Sequence, residues 1–209
     1  MPSTRRSAAT RSGWPVITGL LLLGFLPVLG GVVRLTELSA GAAVGQPFVL
    51  SVASVAHIVS MSVFCLVGAF QFSPALRMRH GWHKNAGRVL IPVGFVAAIA
   101  SVPLGAFFTG TPDERAAATV RVVFAVAMIG LLVRAVVAIQ RRAFATHGAG
   151  MTRAYAIAVS GGTQALVAIV WTIVGGELDP ASETWVVAIG FVINSLVAEL
   201  IVRRRPTRG

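Results

Sequence analysis

The chain has 209 residues, of which 56% are hydrophobic and 12% are charged, and its mean hydropathy is +0.81. Soluble domains carry about 25% charged residues, so this composition excludes an ordinary soluble protein and indicates a membrane protein. The net charge of +11 does not indicate nucleic-acid binding. The basic residues form short clusters at the ends of apolar segments and do not form a basic domain. The single cysteine, Cys65, excludes an intrachain disulfide.

In chain order, a basic N-terminal segment at residues 1–13 precedes the first apolar segment, Trp14–Val33. This segment is longer than the core of a signal peptide, and no Ala-x-Ala cleavage site follows it, so we predict a retained helix. Five further segments are apolar over the roughly 20 residues that a helix needs to cross a bilayer. They are Phe48–Phe70, Val89–Phe108, Ala117–Ile139, Ala154–Val174 and Thr184–Val202. None alternates with the period of two that strands show. We therefore predict an all-α integral membrane protein, with a bundle of six transmembrane helices at 14–202 and a basic tail at 203–209.

Charges alternate between the two sets of connections. Arginine and lysine cluster before the first span, between the second and third, between the fourth and fifth, and after the sixth, whereas the other connections hold six of the seven acidic residues. The positive-inside rule then predicts that both termini are cytoplasmic and that the basic connections contact anionic headgroups of the inner leaflet. Glu199 and Arg203, spaced i, i+4, are expected to form a local ion pair.

Three strongly polar side chains fall in the middle of different spans: His57, Gln164 and Asn194. At a rise of about 1.5 Å per residue, each lies about 14–15 Å deep, near the midplane of a hydrocarbon core about 30 Å thick. Such side chains face the bundle interior and find partners there, so we predict a midplane polar cluster. Its simplest role is interhelical hydrogen bonding, and His57 is in addition a candidate for a ligand, proton or haem role.

Several ordered motifs then resemble one family. His57, the stretch "AFQFSPALRMRHGWHKNAGRVL" at 69–90, "HGAGMTRAYA" at 147–156 and "GGTQAL" at 161–166 are similar to bacterial membrane proteins known only as domain of unknown function 2306. The matching positions are His57, Gln71, Phe72, Arg77, His83, Gly87, Arg88, His147, Met151, Arg153 and Tyr155. The resemblance covers about residues 50–175, and "FVINSLVAELIVRRR" at 191–205 resembles the actinobacterial members. The resemblance implies a multi-pass protein of a bacterial plasma membrane, and it does not imply any particular activity.

The first functional hypothesis is a haem b or quinone-linked redox protein. Haem iron takes nitrogen or sulfur donors at its axial positions, and His83 and His147, which precede the third and fifth spans, are the candidate pair, with Met151 as a spare donor. No metal other than such a haem iron is predicted. Arginines on the same side would bind the propionates or another anionic ligand. They are Arg77, Arg88 and Arg153.

The alternative is a proton-coupled transporter of a small solute, whose site is the cluster of His57, Gln164 and Asn194 and whose proton acceptor is His57. A non-catalytic membrane scaffold, in which the basic connections only bind the inner surface, stays open, as does a homodimer. The sequence has no phosphate-binding loop and no nucleophile motif, which disfavours an ordinary kinase or hydrolase. Whether the protein is an enzyme stays open as well.

Overall fold

The computed structural model describes residues 13–42, 47–79 and 81–204, without the side chains of residues 42, 77 and 78. All regular secondary structure in this part of the chain is helical, and it contains no strand. Its α-helices are α1 Trp14–Glu37, α2 Phe48–Ala69, α3 Pro74–Met78, α4 Trp82–Ala106, α5 Pro112–Gln140, α6 Phe144–Ala158, α7 Ser160–Ile173 and α8 Pro180–Arg203. A π-helical turn extends α1, and a 3₁₀ turn extends α2.

Six helical segments are long and apolar enough to cross a membrane, and α6 and α7 together form the fifth of them. The prediction of an all-α bundle with six membrane-crossing helices is therefore confirmed. The helices begin earlier than the apolar segments do: α4 begins at Trp82 instead of Val89, and α6 at Phe144 instead of Ala154. Hydropathy misses these first turns because they are polar, although their residues are still helical.

Capping residues define the beginnings of two helices. Before α5, the Thr111 side chain accepts a hydrogen bond from the Glu114 backbone, and the Glu114 carboxylate accepts one from the Thr111 backbone. Asp179 and Ser182 form the same reciprocal arrangement before α8. Such capping boxes satisfy backbone N–H groups that have no partner within the helix. Hydrogen bonds with the side chain and backbone of Ser182 hold the pKa of Asp179 below its ordinary value.

The packing of the helices places α6 inside the bundle. Neighbouring spans pack in the closed order α1, α2, α4, α5, α8, α7 and back to α1, while α6 packs against α2, α5 and α8. The core around α6 includes Tyr155, Phe64 and Met128. Small residues allow these close contacts: a Cβ on Gly94 would lie only 2.7 Å from the Phe64 ring.

The outer surface of the bundle is apolar on every span, with exposed side chains such as Leu22, Val126 and Leu196. A continuous apolar exterior of this kind is stable against lipid chains and not against water. The surroundings of the protein are therefore a lipid bilayer.

The two ends of the bundle carry opposite charge. We call the end at which α1 begins and α8 ends the basic end; its described basic residues are Arg79, Lys84, Arg88, Arg141, Arg142, Arg153, Arg203 and Arg204. We call the other end the acidic end; its acidic residues are Glu37, Asp113, Glu114, Glu177, Asp179 and Glu183. Two arginines there are paired, Arg34 with Glu37 at 3.1 Å and Arg121 with Glu183 at 2.6 Å. That the basic end is cytoplasmic stays a prediction. Residues 1–12 of the predicted basic N-terminal segment at 1–13 and residues 205–209 of the predicted basic tail at 203–209 lie outside the described residues.

Candidate functional site

The two histidines predicted to form a pair lie on different helices at the basic end. His83 is exposed on the first turn of α4, and His147 is half-buried on the first turn of α6. His147 Nδ1 lies 2.9 Å from the backbone oxygen of Ala135 on α5, the helix against which both α4 and α6 pack. The described contacts thus give His147 a partner on α5.

The remaining predicted ligand residues lie in different surroundings. Arg153 Nε and Nη2 lie 2.9 and 2.7 Å from Glu199 Oε2 on α8, and Glu199 Oε1 accepts a 2.7 Å hydrogen bond from Arg203, which confirms the expected local ion pair. Met151, one turn after His147 on α6, packs against the hydrophobic core. Arg88 is exposed on α4, and the side chain of Arg77 lies outside the described residues. Arg153 therefore has a carboxylate partner within the protein, which it shares with Arg203.

The motif on α6 connects this central helix to three neighbours. His147 bonds to α5, Arg153 to α8, and the Tyr155 hydroxyl donates a 2.6 Å hydrogen bond to the Cys65 backbone oxygen on α2. The Tyr155 ring lies between Phe64 and Phe72, and a Cβ on Gly68 would be 2.6 Å from it. The family resemblance identified these positions in the sequence. Their residue types alone could not predict that their partners lie on three different helices.

Removing the Tyr155 hydroxyl tests the connection to α2. We expect Tyr155→Phe to lower the free energy of unfolding by about 1 kcal/mol, because interhelical hydrogen bonds in membranes average about 0.6 and reach about 1.7 kcal/mol. Unfolding in mixed detergent micelles measures the difference. The matched control is Ser101→Ala, whose hydroxyl bonds only within its own helix, to Ala98. An equal effect of both substitutions would show that the bond to Cys65 contributes nothing specific.

His57 connects α2 to α4 in the middle of the bundle. Its Nδ1 lies 2.8 Å from the backbone oxygen of Ala97. Because a carbonyl oxygen only accepts hydrogen bonds, Nδ1 carries the hydrogen, and Nε2 of the neutral ring is the nitrogen that can take up a proton or bind a ligand. His57 and His147 thus use the same arrangement, each with an alanine carbonyl of the adjacent helix.

The polar residues of the fifth and sixth spans form a separate network. Asn194 Oδ1 accepts a 2.9 Å hydrogen bond from Thr163, and Asn194 Nδ2 lies 3.2 Å from the backbone oxygen of Ala156 and 3.4 Å from Ser160 Oγ. Gln164 is half-buried and packs against Gly190 on α8. The predicted midplane cluster is therefore divided: His57 lies between α2 and α4, while Asn194 lies between α8 and the junction of α6 and α7.

The break in the fifth span and a proline in the first lie beside this network. The fifth span is broken at Val159, between α6 and α7, and α1 contains Pro27 within a continuous helix. Proline has no N–H, so the Leu23 carbonyl, four residues earlier, lacks its usual partner within α1. This oxygen lies directly against Gly162, and the Pro27 ring lies against Gly161. The proline-containing turn of α1 thus packs against the glycines at the beginning of α7.

A cavity of about 800 Å³ opens at the acidic end, between α1, α2 and α4. It is lined by Arg34, Pro47, Val49, Leu50, Ser54, Leu104, Phe107, Phe108 and Thr109. Ser54 lies three residues before His57 on α2, on the same face of the helix, so this cavity ends one helical turn from the histidine. A smaller cavity of about 440 Å³ at the basic end is lined by Arg79, Trp82, Asn85 and Ala86. Within the described ranges, no group of three His, Cys, Asp or Glu side chains could hold a metal ion.

One family model matches this chain. The family is described as "Predicted membrane protein (DUF2306)", and its model covers residues 54–202, from the α2 face that carries His57 to the end of α8. The match extends beyond the motifs of residues 50–175 and includes Asn194 and Glu199. That the chain is of the actinobacterial type within this family stays a prediction. No curated protein and no solved structure gives a significant match. The chain belongs to the family of membrane proteins defined by domain of unknown function 2306.

Proposed function

We propose that this protein binds a small solute in the acidic-end cavity and carries it across the membrane together with a proton that His57 accepts. The observation that carries the proposal is the position of the cavity, which reaches Ser54, one helical turn from His57. Ligand sites are typically concave, mostly apolar and of about 300–1,000 Å³, and this cavity has that size and character. With the predicted orientation, it opens to the outside of a bacterial plasma membrane.

His57 has the chemistry that proton coupling requires. An ionisable side chain near the midplane of a membrane protein is costly to bury and typically serves an ion or proton pathway. The hydrogen bond from Nδ1 to Ala97 fixes the ring and leaves Nε2 as the basic atom. Protonation of Nε2 would place a positive charge between α2 and α4, the two helices that also line the cavity, so solute binding and proton uptake would influence each other.

The break in the fifth span offers a second line of support. Transporters often build their midplane sites from discontinuous helices, whose two halves can move relative to each other. Here the glycines just after the break pack against the proline-containing turn of α1, and α1 also lines the cavity through Arg34. A movement of α1 would therefore change the contacts both at the cavity and at the break.

The redox hypothesis has less support. The hydrogen bond from His147 Nδ1 to the α5 backbone leaves Nε2 able to bind an iron, but Arg153, one of the arginines that would bind the propionates, is paired with Glu199. A visible spectrum of the purified protein, expressed with haem precursor, checks this directly. A Soret band that is lost in His83→Ala would restore the redox hypothesis.

Proton-coupled uptake is tested in proteoliposomes that contain a pH-sensitive dye. Suitable probes do not cross lipid unaided: benzenesulfonate, hexanesulfonate, glutamate, lysine and glucose. We expect at least one of them to change the internal pH with the wild-type protein, and His57→Asn to abolish the change. Asparagine is the informative substitution, because its amide N–H can still donate to Ala97 while the titratable nitrogen is lost.

The matched control is His147→Asn, which keeps the equivalent hydrogen bond to Ala135 and should transport like the wild type. The proposal is wrong if His57→Asn transports protons as the wild type does, or if none of the probes moves a proton with the wild-type protein.

A further inference from the structure

We infer that the acidic-end cavity takes a monoanion with an apolar body, whose negative group binds Arg34. This inference rests on the proposed function in that it names the solute class of the same cavity. Its basis is the composition of the lining, in which Arg34 is the one charged residue among those that the structure describes. Two hydroxyl side chains, Ser54 and Thr109, supply hydrogen bonds, and the other described lining residues are apolar.

The balance of charge sets the number of negative groups. A single guanidinium compensates one carboxylate or sulfonate group well, because its N–H groups match two acceptor oxygens. A second negative group would be left against Leu50, Leu104 or Phe107 without a partner, which is costly in an apolar site. A cation would in turn be repelled by Arg34. A neutral solute would leave Arg34 paired with Glu37 and gain nothing from its charge.

The apolar lining sets the rest of the solute. Phe107 and Phe108 directly follow the end of α4, and Val49 and Leu50 lie in the first turn of α2, so apolar side chains from two parts of the chain line the cavity beside Arg34. An aromatic ring or a short alkyl chain gains from leaving water for such a surface, whereas a sugar or an amino acid would lose hydrogen bonds there. The solute is thus either an aromatic acid dissolved in water or an acyl-chain acid derived from lipid, and both share the same chemistry.

Glu37 acts as an internal competitor for the same guanidinium. Arg34 Nη1 lies 3.1 Å from Glu37 Oε2, and the two side chains are 41% and 51% exposed. Ion pairs that are this exposed are weak, so an incoming anion can replace Glu37 on Arg34. The other arginines near this end are engaged elsewhere: Arg115 donates to the Gly110 backbone oxygen, and Arg121 pairs with Glu183. The pair of Arg34 and Glu37 therefore predicts opposite effects of two substitutions.

Binding is measured by calorimetry with the full chain in detergent, using benzenesulfonate and its neutral counterpart benzenesulfonamide. We expect benzenesulfonate to bind roughly tenfold more tightly than the sulfonamide, and Arg34→Gln to remove this preference, since about 1.4 kcal/mol of charge-assisted bonding corresponds to that ratio. Glu37→Gln should strengthen sulfonate binding several-fold. The matched control is Arg121→Gln, which removes a paired arginine at the same end that does not line the cavity.

Several results would overturn the inference: equal binding of the sulfonate and the sulfonamide, no sulfonate binding at all, or unchanged binding by Arg34→Gln. Weaker sulfonate binding by Glu37→Gln would also contradict the inference. If the ion pair of Arg34 and Glu37 were only structural, either Arg34→Gln or Glu37→Gln would weaken binding. Comparison with hexanesulfonate separates the two sources: tighter binding of the alkyl compound points to an acyl-chain acid, and tighter binding of benzenesulfonate to an aromatic one.

Failure of this inference and failure of the proposed transport are distinguishable. Calorimetry in detergent involves neither a membrane nor a proton gradient. Sulfonate binding that depends on Arg34, without proton movement that depends on His57, would uphold the monoanion site and refute transport. Proton movement that depends on His57 but occurs only with glucose or lysine would do the reverse.

Discussion

Replacing Gly162 by alanine is expected to be among the most destabilising single substitutions in this protein. A Cβ at this position would overlap the backbone oxygen of Leu23 on α1. A backbone oxygen cannot rotate away as a side chain can, so α1 itself would have to shift. Overpacking of interiors costs typically about 1–3 kcal/mol, and we expect at least about 3 kcal/mol here because a whole helix moves. Unfolding in mixed detergent micelles measures this loss.

The matched control is Gly130→Ala on α5. No atom lies within 4 Å of a Cβ built at Gly130, which is exposed to lipid in the interior of a long helix. Alanine is favoured over glycine in helices by about 1 kcal/mol, so this variant should be as stable as the wild type or more so. If Gly162→Ala unfolds at the same detergent concentration as Gly130→Ala, the close contact between α1 and α7 does not exist as described.

The six spans could be predicted from the sequence because lipid requires long apolar helical segments, and mean hydropathy measures this apolar character directly. The break in the fifth span could not be predicted from hydropathy. The residues at the break, Ser160, Gly161 and Gly162, are small and only weakly polar, so they leave the average hydropathy of the segment high. The two consecutive glycines were the available signal of a break. However, glycine in a membrane helix also commonly allows close packing of a continuous helix.

The partners of the predicted site residues were beyond sequence reasoning for a different reason. His57 and His147 bond to backbone oxygens of Ala97 and Ala135, and any residue type offers such an oxygen. Arg153 was assigned to an external anion because its partner, Glu199, is 46 residues away in the chain. Local spacing predicted only the pair of Glu199 with Arg203, which lies one helical turn further on.

The depth of the polar groups was predictable, but their grouping was not. A constant rise per residue places His57 and Asn194 near one level, whereas the direction of each side chain depends on how the helices pack. The structure places α2 beside α4 and α8 beside α7, so the two residues bond on different helix pairs. The acidic-end cavity is likewise lined by residues at the ends of α1, α2 and α4, and no single segment predicts that these ends come together.

Replacing Asn194 by leucine should have the second large effect on stability. The Asn194 side chain contacts both halves of the fifth span, through Ala156 on α6 and through Ser160 and Thr163 on α7. Leucine has a similar volume but makes none of these three hydrogen bonds. With about 0.6 kcal/mol for an average bond of this kind in a membrane, we expect a loss of about 2 kcal/mol. Ser195→Ala, next to it on α8, is the matched control and should change stability by less than about 0.5 kcal/mol.

A double-mutant cycle with Thr163→Val separates the loss of the bond from a change in packing. Thr163 donates to Asn194 Oδ1, and valine has nearly the shape of threonine without the hydroxyl. The two substitutions should be less than additive by about 0.5–1 kcal/mol, because each removes the same bond. Full additivity would mean that the hydroxyl and the amide act independently. In that case the bond between Thr163 and Asn194 would not stabilise the break at Val159, and any loss in Asn194→Leu would come from its contacts with Ala156 and Ser160.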